Sequence, residues 1–338
     1  MKRWVGVDLH KRQFTVCWLS ARGEKMEEYE VSEAGYEQFK KKLRSGDEIG
    51  VEAIGNSGYF REKIRERVNK VVVINPKQFK VISESVKKTD ENDARAIAKY
   101  LKHGLLPEVR QMSKERRELR SLIHTRDKLV KLRSSLKNKI HNTLNDNGIV
   151  SRKEMFSSEV SYERLKELSL SETVKFEIEI IVKQIKSLGE NIKEMEGKIK
   201  EIGNTMDGHK NLKSITGIGD LSAAIILNGI GKVEDFDDSK KLSSYVGLVP
   251  RIKNSADKES SGGHITRMGN KILRTTLVQV TLIAIKYNDY LRRFYLRLKE
   301  KKCSGKAIIA TARKMLDIIY RTLKNGWVFA DFNNWVLE

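Results

Sequence analysis

The sequence has few of the residues that mark secreted, zinc-stabilised or membrane proteins. Its 338 residues include two cysteines, Cys17 and Cys303, and three prolines. The cysteines lie far apart and lack Cys or His neighbours at metal-ligand spacing, which excludes a disulfide framework and argues against structural zinc. No apolar run approaches the roughly 20 residues that span a bilayer, and the start MKRWVGVDLH lacks a signal-peptide core. These absences predict a soluble, cytoplasmic protein.

Acidic residues are also in deficit. There are 66 Lys and Arg residues against 45 Asp and Glu, a formal net charge of +21 at pH 7. Such an excess favours a polyanionic partner and predicts binding that weakens with salt, although ribosomal and membrane-surface proteins can be equally basic. Aromatic residues make up 7% of the chain, which leaves few rings for stacking on bases.

The first hundred residues alternate between short β-rich runs and helical patterns. Runs at 4–9 and 13–19 are joined by the turn HKR, and a third candidate strand covers 27–31. Helical and strand patterns then alternate as far as a buried strand at 71–74. Because three strands followed by alternating helices and strands is the element order of an RNase H-like fold, we predict an α/β domain of this type over residues 1–110.

Two long helical patterns follow this domain. Residues 113–147 carry an apolar stripe on an otherwise basic helix, and residues 172–202 carry a second stripe at spacings of three and four. The pair is compatible with an antiparallel or a dimerising coiled coil. We predict a helical coiled-coil connector over residues 111–205, in which the stripes serve packing, and a C-terminal domain over residues 206–338.

The C-terminal region opens with LKSITGIGDLSAAIILNGIG. Residues Ile215 to Gly219 resemble a helix-hairpin-helix turn, whose glycines let backbone N–H groups approach a phosphate. A Gly-x-Gly before a helix is also common in plain tight turns. We predict a mostly α-helical domain with a helix-hairpin-helix-like element.

Four carboxylates stand in three segments of the first domain. Asp8 lies within the apolar run WVGVDL, Glu52 ends the strand VEA, and Asp90 and Asp93 begin the helical stretch TDENDARAIAKYL. Taken singly, these acids have plain explanations as turn, strand-end and first-turn residues. Brought together by an RNase H-like fold, they would hold two hard cations roughly 4 Å apart for phosphoryl transfer. Asp8 favours the metal site, because a buried carboxylate needs a partner or a cation.

The motifs VGVDLHK, VEAIGNSGY and KTDENDARAIAKYL, followed by GLVPRIKNSADKESSGGHITRMGNKILR, resemble the DEDD-type transposases of bacterial insertion sequences. The resemblance extends over nearly the whole chain. It implies a RuvC-like domain, a coiled-coil connector and a C-terminal domain that carries a nucleophilic serine. By motif matching, the four acids of the family are Asp8, Glu52, Asp90 and Asp93.

The serine of the family stands in a Ser-Gly pair after a GL-x-P segment. Ser255 occupies that place, but Ala256 replaces the glycine, and Ser261 before Gly262 is the alternative nucleophile. Without the resemblance, this Ser/Gly-rich segment reads as a flexible loop. Basic residues around it are candidates for holding phosphates, although surface cations are often simply solvated. They are Arg251, Lys253, Lys258, Arg267 and Arg274.

The resemblance implies a DNA recombinase of a bacterial mobile element, working in the cytoplasm at the nucleoid. Magnesium would polarise the scissile phosphate and assist deprotonation of the serine, which then forms a phosphoserine bond to DNA. That bond conserves the energy of the broken phosphodiester, so ATP is not needed. The implied partners are donor and target DNA, a structured noncoding guide RNA and further copies of the chain as a dimer or tetramer.

Two other functions fit the same residues. One is a RuvC-like junction endonuclease that uses water and leaves Ser255 idle, and the other is a non-catalytic nucleic-acid scaffold. Asp8→Ala separates the scaffold from the enzymes, since only an enzyme loses strand cleavage while binding survives. Ser255→Ala separates the recombinase from the hydrolase. Gel assays of DNA cleavage and binding by both variants measure these outcomes.

Overall fold

The computed structural model divides the chain into two compact units, Met1–Met112 and Ser113–Glu338. The first is mixed α/β and the second is mostly helical. The further boundary near residue 205 stays a prediction. The structure describes residues 2–76, 78–79, 89–152, 162, 164–165, 167–250, 254–255, 258–259, 265–266 and 269–329.

The first unit is a five-stranded sheet with helices on both faces. Its described elements are β1 (Trp4–Leu9), β2 (Gln13–Ser20), β3 (Gly23–Glu30), α1 (Glu33–Lys42), β4 (Glu48–Glu52), α2 (Ser57–Ile64), β5 (Lys70–Ile74) and α3 (Asp90–Lys102). The strand order is β3-β2-β1-β4-β5. β1 and β2 are antiparallel, as are β2 and β3, whereas β4 runs parallel to both β1 and β5. The predicted mixed α/β domain is thereby confirmed.

The third strand begins earlier than the predicted run at 27–31. Its residues GEKMEEYE are mostly charged and exposed, so they lack the apolar alternation that marks a strand in a sequence. The strand forms because it pairs along the whole of β2, from Ser20 opposite Gly23 to Gln13 opposite Glu30. Charged side chains are typical of such an edge strand, where they discourage pairing with another chain.

Alternation along β1 assigns its side chains to two different layers. Val5, Val7 and Leu9 are at most 3% exposed and join an aromatic core beneath α1 and α2. Because successive residues of a strand point to opposite faces, Gly6 and Asp8 face the other side of the sheet. That side is covered by α3.

Helix α3 contacts the backbone of β1 at Gly6. A Cβ atom on Gly6 would stand 2.5 Å from the amide nitrogen of Ala98 and closer still to the carbonyl oxygen of Ala94. Both alanines are fully buried. Since any side chain at Gly6 would collide with helix backbone, glycine allows α3 to approach the sheet as closely as it does.

The second unit consists almost entirely of helices in its described part. Its elements are α4 (Lys114–Asp146), α5 (Glu172–Asn204), α6 (His209–Lys213), α7 (Asp220–Ile230), α8 (Ser239–Val246), β6 (Asn254–Ser255), β7 (Lys258–Glu259), α9 (Lys271–Tyr287), α10 (Asp289–Lys301) and α11 (Ser304–Lys324). The two long helices predicted at 113–147 and 172–202 are confirmed. Among all the helices described, in either unit, not one is both long and apolar enough to cross a membrane.

Helices α4 and α5 pack side by side in antiparallel directions. Leu119, near the start of α4, shares a hydrophobic cluster with Ile199, near the end of α5. At the opposite end of the pair, Leu144 clusters with Ile178. The apolar stripe predicted for residues 113–147 includes Leu132, which is 50% exposed, so the partner helix covers the stripe only in part.

The turn Ile215–Gly219 joins α6 to α7, in the place predicted for the helix-hairpin-helix-like element. Gly217 has a φ of +96°, and a Cβ atom there would stand 2.7 Å from the carbonyl oxygen of Val280. The amide of Gly219 donates to the hydroxyl of Ser222 at 2.9 Å. These contacts serve packing and capping inside the unit, and a phosphate contact at this turn stays a prediction.

Gly6→Ala tests the contact between β1 and α3. The added methyl group overlaps helix backbone, so we expect a loss of about 1–3 kcal/mol in the free energy of unfolding, as for other overpacked cores. Urea unfolding followed by circular dichroism measures this loss. Gly46→Ala is the matched control, because a Cβ atom on Gly46 meets no atom within 4 Å. Equal stability of the two variants would contradict the close contact.

Candidate active site

The carboxyl ends of β1 and β4 bring two of the predicted acids to one edge of the sheet. Asp8 is the penultimate residue of β1, and Glu52 is the last residue of β4. The parallel register pairs Val7 with Val51, so Asp8 and Glu52 follow on neighbouring strands about 4.8 Å apart. Gly50 faces α3. By alternation, Glu52 faces α3 as well, on the same side of the sheet as Asp8.

The start of α3 supplies the other two acids. The helix is capped by Thr89, whose hydroxyl accepts a hydrogen bond from the amide of Asn92 at 3.2 Å. Asp90 and Asp93 follow within the first turn. Residues three apart share a helix face, and because Thr89 provides the cap, both carboxylates are available to the sheet edge. Their location at a helix N-terminus also favours their negative charge.

Asp8 and Asp90 meet at the imidazole of His10. The His10 Nε2 atom lies 3.2 Å from Asp8 Oδ2 and 3.3 Å from Asp90 Oδ2. One potential ligand atom from each of these three residues lies within 4.8 Å of the others, which is close enough to hold one metal ion. The side chain of Asp8 is 13% exposed, whereas those of His10 and Asp90 are 49% exposed. The cluster is therefore shielded on the side of the sheet and open on the other.

The surroundings of Asp8 disfavour its negative charge. Burial raises the pKa of the Asp8 carboxyl above its ordinary value, His10 opposes this increase, and the carboxylates of Asp90 and Asp93 add to it. A cation would reverse these effects, because it stabilises the charged carboxylates and relieves their mutual repulsion. Carboxylate oxygens suit hard divalent cations such as Mg²⁺. The residues present therefore fit a divalent metal.

The sequence patterns do not predict His10 as a site residue, because HKR has the pattern of a turn between two strands. Its backbone is held on both sides: its amide donates to the carbonyl of Gln13 and its carbonyl accepts from Asn56 Nδ2, each at 2.9 Å. Asn56 belongs to the motif VEAIGNSGY. The available signal was the two-residue spacing of Asp8 and His10, since residues at this spacing share a face of a strand.

The predicted residues of the second unit are described only in part. The backbone of Ser255 pairs with that of Lys258 between β6 and β7. Arg274 Nη1 donates to the carbonyl of Val246 at 2.9 Å, at the end of α8. The roles assigned to these three residues stay predictions. Outside the described residues lie Arg251, Lys253, Ser261 and Arg267.

Known proteins resemble the chain along most of its length. Residues 5–147 match a family model for DEDD transposases of the IS110 type, described as "Transposase". Residues 209–296 match a second model, described as "Transposase IS116/IS110/IS902 family". One match falls mainly on the unit that carries the acidic cluster and the other within the helical unit. Both define the same class of protein, the DNA transposases and recombinases.

Curated relatives agree with this class. The chain is 28% identical to the transposase for insertion sequence element IS1111A of Coxiella burnetii, over 94% of this chain and 89% of the relative. It is 23% identical to a probable family 20 transposase of Pseudomonas aeruginosa, over 94% and 96%. It is also 24% identical to the pilin gene-inverting protein of Moraxella bovis, over 97% and 98%. The chain belongs to the IS110 family of DEDD-type transposases.

Asp8→Asn tests whether the cluster is built for a cation. Because the folded-state pKa of Asp8 is raised, its charge destabilises the cation-free protein at neutral pH, and this destabilisation disappears as the pH falls through the raised pKa. We therefore expect the variant to be more stable than wild type in EDTA. Wild type should gain about 2.7 kcal/mol from Mg²⁺ at 100 times its Kd, and the variant much less.

Thermal unfolding with EDTA, Mg²⁺ or Mn²⁺ measures both effects. Glu28→Gln is the matched control, because Glu28 is an exposed carboxylate on β3 in the same unit. This control should respond to the cation as wild type does. An Asp8→Asn protein that is less stable than wild type in EDTA and still gains the full increment from Mg²⁺ would reject the metal site.

Proposed function

We propose that this protein cuts and rejoins DNA as the transposase of a bacterial insertion sequence, with an RNase H-like, RuvC-like catalytic domain in its first unit. The observation that carries this proposal is the cluster of Asp8, His10 and Asp90 at one edge of the sheet. Glu52 and Asp93 lie outside that cluster, but the strand register and the first turn of α3 support their assignment to the same edge. The four acids come from three separate segments. Surface acids have no reason to converge in this way, whereas a metal-dependent phosphoryl-transfer site requires it.

The strand arrangement supports the RNase H-like assignment. An antiparallel meander of β1, β2 and β3 is extended on the other side of β1 by β4 and β5, which run parallel to β1. This is the element order expected from the sequence. It brings the ends of β1 and β4 to the same edge, where α3 adds its first turn.

The four carboxylates are the proposed ligands of two Mg²⁺ ions. When bound, Mg²⁺ supplies Lewis-acid polarisation of a phosphate and lowers the pKa of an attacking hydroxyl group. Asp8 contributes the most buried of the three ligand groups in the cluster with His10 and Asp90. The exposed side of the cluster leaves access for a DNA phosphate. His10 holds the two carboxylates in place through its Nε2 atom.

Ser255 is the proposed nucleophile, and Ser261 is the alternative. The serine oxygen attacks the phosphorus of a DNA phosphodiester, its proton passes to a base, and a deoxyribose hydroxyl leaves. A hydroxyl group of a second strand then attacks the phosphoserine, which forms the new phosphodiester and restores the serine. Bond breaking and bond making balance without ATP. The assignment rests on the position of Ser255 between GLVP and the run GGHITRMGNK, which resembles that of the family.

The proposal includes a guide RNA and self-association. The net charge of +21 supports simultaneous binding of RNA and DNA, with specificity supplied by base pairing. The antiparallel α4 and α5 pair is the proposed coiled-coil element of a dimer or tetramer. Apolar side chains that this pair leaves uncovered support the assignment. They are Leu132, Phe176 and Ile180, which are 50%, 66% and 42% exposed.

A search for a covalent protein–DNA adduct tests the reaction. The wild-type protein, Ser255→Ala, Ser261→Ala and Asp8→Ala are each incubated with donor DNA from the element and Mg²⁺, then analysed on denaturing gels. We expect an adduct with the wild type and Ser261→Ala proteins. We expect none with Ser255→Ala, which lacks the nucleophile, or with Asp8→Ala, which lacks a metal ligand.

Other outcomes have defined meanings. Loss of the adduct only with Ser261→Ala would support the recombinase reaction but identify Ser261 as its nucleophile. Cleavage without an adduct that is abolished by Asp8→Ala but not by either serine substitution would indicate a RuvC-like endonuclease that uses water. Binding without cleavage by any variant, wild type included, would indicate a non-catalytic scaffold.

A further inference from the structure

The first unit carries a second charged feature, a groove at the end of β1 opposite Asp8. The groove has a volume of about 550 Å³. Arg3, which lines the groove, directly precedes β1. At a rise of 3.3 Å per residue, the groove therefore begins roughly 16 Å from Asp8 along the strand. Four separate segments contribute its cations: the start of β1, the β2–β3 hairpin, the end of α1 and the loop after α1. We call it the basic groove and define it by Arg3, Arg22, Lys25, Lys41, Lys42 and Arg44.

The negative charge of one acid that lines the groove, Glu27, is already balanced by groove cations. Glu27 pairs with Lys25 at 2.7 Å and with Lys42 at 2.9 Å, and it accepts a hydrogen bond from Trp18 Nε1 at 3.1 Å. Burial opposes ionisation, but hydrogen bonds from Lys25, Tyr29 and Lys42 lower the pKa of Glu27 to about 2. Its charge is therefore fixed and locally compensated.

The neighbouring acids are also paired. Glu24, the other acid lining the groove, pairs at 2.6 Å with Arg95 of α3, which lies outside the groove. Asp47 is 1% exposed and binds Arg3 through two hydrogen bonds, at 2.6 and 2.9 Å. These pairs leave the remaining groove cations without an acidic counterpart of their own.

Three cations that line the groove remain. Arg22, Lys41 and Arg44 are exposed, and within the described residues none of them forms an ion pair. Lys41 is explained by the end of α1, where a positive charge favours the helix dipole. Arg22 and Arg44 lie in a hairpin and a loop, so that explanation does not extend to them. Three unpaired cations from three segments that line one groove match a ligand with repeated negative charges.

The described residues that line the groove offer no open stacking surface. Trp18 is the single ring among them, is 7% exposed, and has the Arg3 guanidinium 4.8 Å from its ring centroid. Nucleic-acid sites that stack on the bases of a single strand use open aromatic faces. A surface that offers cations without such a face suits the phosphate backbone, which carries charge independently of sequence.

We propose that the basic groove binds the phosphodiester backbone of a nucleic acid, as a sequence-independent site separate from the acidic cluster. This proposal deepens the proposed function and rests on it, because it assumes that the protein acts on nucleic acid. DNA and RNA share the chemistry that the groove recognises. Binding there holds a strand on the first unit without exposing it to the catalytic acids at the other end of β1.

Fluorescence anisotropy of the full-length protein tests the groove. The probes are a labelled duplex DNA and a labelled RNA hairpin of unrelated sequence, titrated in EDTA over a range of salt concentrations. The triple variant Arg22→Gln/Lys41→Gln/Arg44→Gln removes the unpaired cations. We expect the slope of log K against log salt to become shallower by about 2 to 3, and affinity near 0.15 M salt to fall roughly 10- to 100-fold, for at least one probe.

The matched control removes three other cations of the same unit, Arg61, Arg65 and Arg67, which lie outside the groove. It should change the slope by less than about 1 for either probe, since a slope of that size corresponds to one phosphate contact. Thermal unfolding midpoints verify that both triple variants fold as wild type does. An effect on the DNA or RNA probe alone identifies which polymer uses the groove, and an effect on both supports a shared site.

Equal losses in the groove and control variants would mean that only overall charge matters and would overturn the proposal, as would unchanged binding by the groove variant. Cleavage of donor DNA with Mg²⁺ is measured in parallel on the wild-type protein. If the groove variant shows the expected loss of binding but the wild-type protein cuts no DNA, the groove proposal stands and the proposed transposase reaction is rejected. The two failures are therefore distinguishable.

Discussion

The first unit depends on the backbone contact between helix α3 and strand β1 at Gly6. The first turn of that helix carries Asp90 and Asp93, and β1 carries Asp8 two residues after the glycine. A side chain at Gly6 would separate the two elements, because Ala94 and Ala98 lie directly above it. The carboxylates can therefore converge only while the helix lies flat on the sheet.

Holding these carboxylates close together is electrostatically unfavourable, and the packing of the fold offsets this unfavourable free energy. Burial and two neighbouring carboxylates make the charge of Asp8 unfavourable, and a cation is the natural compensation. The basic groove at the other end of β1 has the opposite character, since its acids are paired and three of its exposed cations form no ion pair within the described residues. One small sheet thus separates a site suited to cations from a surface suited to phosphates. In a protein that handles DNA, the first is suited to chemistry and the second to holding a strand.

Much of the secondary structure of both units could be predicted from local patterns. The alternation in WVGVDL, the helix start at Thr89 and the long helices α4 and α5 follow from periodicity and capping, which depend on near neighbours. The extent of β3 could not, because its charged residues become a strand only by pairing with β2. The half-exposed Leu132 has a similar cause, since periodicity indicates an apolar stripe but not how far a partner helix covers it.

The sequence by itself determined the residue types, the order of the acidic motifs and the excess of positive charge, which together indicate a metal-dependent enzyme acting on nucleic acid. It also determined that Asp8 interrupts an apolar strand. Only the tertiary structure decided that His10 lies between Asp8 and Asp90, and that six cations from four segments line one groove. The reason is physical: periodicity acts over a few residues, whereas these clusters join side chains brought together by strand register and helix packing.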